Sequence, residues 1–77
     1  MIENEEIEAT VTKIIPNGRH GPYAVTKYGD QSVTFSLEKP VWNEYPHPIP
    51  GNCVILSQIK KTNKGWRAEK ASLPKLH

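Results

Sequence analysis

Apolar and polar positions alternate along most of this chain, and the alternation marks out five strands. Residues 6–15 are rich in β-branched side chains and mostly alternate, as a strand with one buried face does. Their phase shifts near Lys13-Ile14, which predicts a β-bulge in a long, curling strand. Pro16-Asn17-Gly18 stops this run and Gly21-Pro22 sets the start of the next. Residues 23–28 read as a second strand turned at Gly29-Asp30, and residues 32–37 alternate cleanly as a third. Gly51-Asn52 opens a fourth over residues 53–59, whose continuous apolar run predicts strong burial, with Cys53 in or near the core. Beyond a turn closed by Gly65, residues 66–71 complete the set.

Between the third and fourth strands the chain changes character. Residues 38–50 hold four prolines, which exclude a regular helix across that length and leave room for a single turn around Trp42-Asn43-Glu44. Five short strands with one longer connection between the third and fourth are the pattern of the five-stranded Greek-key barrel, the OB-fold. A closed sheet also suits a chain with no helix to cover its edges. At 77 residues this is one small domain, 1–77, with flexible ends expected at 1–5 and 73–77.

Parity then sorts side chains by face. Val33, Phe35 and Leu37 form the core side of the third strand, so Thr34 and Ser36 face outward. In the second strand the parity pairs Tyr23 with Val25 and Lys27, and alternation alone leaves open whether Tyr23 sits in the core or outside. Tyr28, next to Gly29-Asp30, reads as a residue that packs against the turn.

Charge gives the first hint of chemistry. The formal charge is +2, yet Glu3, Glu5, Glu6 and Glu8 supply four of the eight acids, leaving +6 on residues 9–77. Six of the ten cations fall in the last 18 residues, opposed only by Glu69. Four of them crowd the turn Lys60-Lys61-Thr62-Asn63-Lys64-Gly65-Trp66-Arg67, where cations suit phosphates and a flat ring suits a base. One cysteine allows no internal disulfide and the acidic start is unlike a secretory leader, so the cytoplasm is the expected compartment. No apolar run approaches the ~20 residues of a membrane span.

Short motifs carry a resemblance. Val11-Thr12-Lys13-Ile14 followed by Asn17-Gly18, Gly21-Pro22-Tyr23-Ala24-Val25, Val33-Thr34-Phe35-Ser36-Leu37 and Pro50-Gly51-Asn52-Cys53-Val54 resemble the first four strands of RNA-binding OB modules of the ribosomal-protein and cold-shock type. Thr34 stands where that family often has a histidine, and residues 38–50 are proline-rich where its loop is usually partly helical. The resemblance implies a ligand face on strands two and three with the loops after strands one and four, and it puts Tyr23 outside for stacking. The candidate nucleic-acid-binding residues are therefore Arg19, His20, Tyr23, Lys27, Thr34, Lys60, Lys61, Lys64, Trp66 and Arg67. The expected partner is single-stranded RNA or DNA, with modest sequence preference.

Several of these residues have a plainer reading. Trp42, amid prolines, suits a structural cover for the barrel, and Trp66 serves either as such a cover or as a stacking ring. Arg19 and His20 also fit a solvated loop. Catalysis finds little support: His20, His47 and His77 with a single cysteine give no zinc spacing, and no metal or cofactor is expected. Asn17-Gly18-Arg19-His20-Gly21 lacks the lysine and following helix of a phosphate loop. The rival to nucleic-acid binding is a protein-interaction module that docks a partner, or a larger nucleoprotein complex, through the proline and aromatic loop 40–50.

Overall fold

The computed structural model describes residues 6–44 and 46–74; the chain ends at 1–5 and 75–77 lie outside the described residues. Five strands form: β1 (Ile7–Ile15), β2 (Tyr23–Tyr28), β3 (Gln31–Ser36), β4 (Cys53–Thr62) and β5 (Gly65–Ser72). They close into a barrel in the order β1-β2-β3-β5-β4, with β4 returning to β1. Every neighbouring pair is antiparallel except β3 with β5. Among the described residues there is no helix, so none is long and apolar enough to cross a membrane. This small all-β closed barrel is compatible with an OB-fold.

The predicted bulge is present in β1. Val11 pairs with Thr26 and Lys13 with Val25, so Thr12 is the extra residue between them. Its hydroxyl donates to the Val25 carbonyl at 3.1 Å. The inserted residue bends the strand and resets its phase. Ile7, Ala9 and Val11 are thereby buried on one side of the bulge, and Ile14 still reaches the core on the other.

Val33, Phe35 and Leu37 are buried, as their parity predicts, opposite Ala24 and Thr26 of β2. Thr26 is the one buried polar side chain among the described residues, and its hydroxyl donates to the Val33 carbonyl at 2.7 Å. Trp42 takes the structural role. It is buried and stacks on Phe35 with ring centroids 5.7 Å apart. Its backbone bridges to Ala71 of β5. The turn that delivers it lies earlier than residues 42–44: the Glu38 carbonyl accepts from the N–H groups of both Val41 and Trp42. Pro40, within that turn, has no N–H to place, which suits it to the site.

One expectation needs correcting. Cys53 is exposed. It pairs with Thr10 of β1, while Val54 and Leu56 take the inward positions, so alternation overrides the apolar run. Tyr28, at the end of β2, is 42% exposed. Leu73 follows β5 directly. It packs against the core, and its N–H donates to Glu44 Oε2 at 2.6 Å.

A second phase change falls in β4. Leu56 and Ile59 are both buried although three residues apart, and Gln58 between them has φ of 54°. Ala68 and Ala71 on β5 show the same spacing. Beyond this switch Lys60 and Thr62 face outward, beside Arg67 and Gly65 of β5.

Candidate nucleic-acid interface

Parity builds one wall of the site. On β2 and β3 the outward pairs are Tyr23 with Ser36, Val25 with Thr34 and Lys27 with Ser32. The parallel contact with β5 sets Arg67 beside Thr34. Residues distant in sequence thus share one outer surface, because their partners Ala24, Val33, Phe35 and Ala68 fill the core.

Two loops rise at the margins. In the β1–β2 loop the Gly21 N–H donates to the Gly18 carbonyl at 3.1 Å, and this tight turn presents Arg19 and His20 to solvent. Gly18 is required by close approach: a Cβ there would lie 2.5 Å from the Gly21 oxygen and 2.7 Å from two carbons of the Tyr23 ring. The loop therefore buttresses Tyr23, which is half-buried. At the other margin β4 and β5 stay paired up to Thr62 and Gly65, so only Asn63 and Lys64 form the turn. The Thr62 hydroxyl donates to the Gly65 carbonyl at 2.8 Å and accepts from the Lys64 N–H at 3.2 Å.

Between these margins lies a groove of about 310 Å³, near the lower end of the range usual for small-ligand sites. It brings together Arg19, His20, Tyr23, Thr34, Lys64 and Arg67 from the expected set. The other four lie elsewhere. Lys27 is exposed on the same outer face, one pair beyond Val25 and Thr34. Lys60 faces out from β4, 3.9 Å from Glu69 with both side chains exposed, a pairing worth little in water. Lys61 and Trp66 are cross-strand partners, and the Lys61 ammonium lies 5.2 Å from the Trp66 ring centroid. Trp66 packs against the core beneath it, so its ring closes the barrel rather than lining the groove.

The groove also contains residues outside the expected set. Gly21, Pro22, Ser36 and Thr62 line it, and buried Phe35 contributes to its floor. Ser36 shares the outward parity of Thr34, and Thr62 sits in the basic turn, so both carried a legible signal. No carboxylate lines the groove among the described residues. The cations Arg19, Lys64 and Arg67, neutral hydroxyls and the rings of Tyr23 and Phe35 leave a concave surface suited to an anionic group beside a flat apolar one. No family model, no curated protein and no solved structure matches this chain.

Proposed function

We propose that this chain is a non-catalytic, OB-type module whose groove binds single-stranded nucleic acid, RNA somewhat ahead of DNA. The observation that supports it most is the convergence of Arg19, Lys64 and Arg67, from two loops and a strand, around Tyr23 and Thr34 in one groove. Arginine and lysine there contact phosphates without reading sequence. A base stacked on Tyr23 contributes about 1–3 kcal/mol whatever its identity. The hydroxyls of Thr34, Ser36 and Thr62 are short polar partners for sugar or base edges.

The test is a titration of the folded protein with fluorescent single-stranded RNA and DNA at two salt concentrations. Micromolar or tighter binding that weakens as salt rises is the expected result. Absence of binding in low salt by a folded protein sinks the reading. Arg19→Ala combined with Arg67→Ala should abolish most of the affinity while leaving the melting temperature nearly unchanged, since both side chains are exposed.

One observation favours a second reading, docking of a protein. Ile49 is 63% exposed. It sits in a turn held from both sides: the Ile49 N–H donates to Asn52 Oδ1 at 2.9 Å, and the Asn52 N–H donates to the Ile49 carbonyl at 3.0 Å. A rigid apolar knob of this kind suits a partner's pocket. Ile49→Ser should then weaken a protein complex and leave oligonucleotide binding untouched.

A further inference from the structure

A carboxylate stands at the rim of this cationic groove. Glu38 follows β3, and its side chain lies against Gly21, a residue of the groove wall: a Cβ on Gly21 would meet Glu38 Oε1 at 2.6 Å. Gly21 has φ of 101°, so both its backbone and its missing side chain make room for this neighbour.

The backbone that carries Glu38 is fixed on both sides. Its N–H donates to Ser36 Oγ at 3.1 Å. Its carbonyl accepts from Val41 at 3.0 Å and from Trp42 at 3.1 Å. Trp42 in turn is locked in the core against Phe35. The carboxylate itself is uncommitted. Among the described residues the one ion pair is Lys60 with Glu69, and no hydrogen bond to the Glu38 side chain is formed. Glu38 is exposed, and with no partner among the described residues its carboxylate is free to accept from a ligand held in the adjacent groove. Repulsion from phosphates makes such a charge a disadvantage for backbone binding alone.

We propose that Glu38 determines base preference in the groove by accepting a hydrogen bond from the exocyclic amino group of a bound base. The inference rests on the nucleic-acid reading above and sharpens it. Glutamate accepts well from the N4 amino group of cytosine, and single-stranded bases offer their Watson–Crick edges for such contacts. Uracil carries a carbonyl oxygen at the same place, which a carboxylate repels. Cytosine and uracil differ little in size, so stacking on Tyr23 does not separate them; the amino group does.

The experiment compares short cytidine-only and uridine-only RNA oligonucleotides on the wild-type protein and on Glu38→Gln. Wild-type protein should prefer cytidine by about tenfold, the effect of one hydrogen bond to a charged group. In Glu38→Gln, whose amide both donates and accepts, that ratio should collapse toward one, chiefly through tighter uridine binding. Melting temperature should stay unchanged, because the fixed contacts belong to the backbone. Equal affinity of the wild type for both oligonucleotides overturns the proposal. So does a uniform gain for both in Glu38→Gln, which makes Glu38 a simple repulsive charge. Failure of the folded wild type to bind either RNA instead removes the nucleic-acid reading on which the proposal stands.

Discussion

Phe35 joins the core to the groove. Its ring stacks on Trp42 and it also underlies the site. Phe35→Ala should cost roughly 3–5 kcal/mol, enough to unfold a domain of this size, and thermal denaturation followed by circular dichroism reads it. If that variant folded normally but lost binding, the assignment of inner and outer faces would be inverted. Gly18→Ala separates stability from binding. The added methyl group meets a backbone oxygen and the Tyr23 ring, so loop and ring must move apart. Oligonucleotide affinity should fall by more than stability does, measured on the same preparation. At this scale the sequence was partly legible. The parity of β3 was readable, since Val33 and Phe35 are buried as it predicts, whereas the pairing of Thr34 with Arg67 was not. Glu38 escaped notice, since nothing local distinguishes it from a solvated charge; its position depends on Gly21, 17 positions earlier in the chain.

The bulge at Thr12 governs the longest element-level consequence. In a regular strand Ile14 and Val11, three positions apart, would occupy opposite faces, since side chains alternate strictly; the bulge lets both face inward. Deleting Thr12 should therefore keep Ile14 inward, since Val11, Lys13 and Ile14 would then face Thr26, Val25 and Ala24 in unbroken register, and should remove only the bend. Dispersed amide signals should persist in an NMR spectrum, with changes confined to the β1–β2 hairpin, and Thr12→Ala, which keeps the bulge, should cost about 1 kcal/mol through its lost hydroxyl bond. The hairpin tip offers a gentler probe. Thr62→Val keeps the branched shape but loses both hydroxyl contacts, so it should cost about 1 kcal/mol and weaken oligonucleotide binding. Both strand-phase changes bear on legibility. The shift in β1 showed in the pattern because polar residues interrupt it. The one in β4 was hidden, as Val54, Ile55 and Leu56 are all apolar and the switch rests on the backbone of Gln58. For the same reason the outward facing of Cys53 was not readable from its run.

Across the whole molecule, charge and topology act together. Three permanent cations line the groove, and each phosphate neutralised on a single strand contributes roughly 0.7 to the slope of log affinity against log salt. A slope of about −2 is expected if each engages one phosphate. Lys60→Ala with Lys61→Ala should shift that slope less than Arg19→Ala with Arg67→Ala, because the lysines lie outside the groove. Fold class was legible because five runs of strand period leave few architectures; the division of cations between groove and flank was not, because it depends on closure. That closure has a mechanical side. β3 meets β5 through two residue pairs, Val33 with Trp66 and Thr34 with Arg67, so the barrel is fastened there by its shortest seam. The groove lies across that seam, and a strand of nucleic acid gripping Thr34 on one side and Arg67 on the other would act as a clasp. Ligand should then slow amide exchange at residues 33–34 and 66–67 first, and raise the melting temperature as its concentration exceeds Kd.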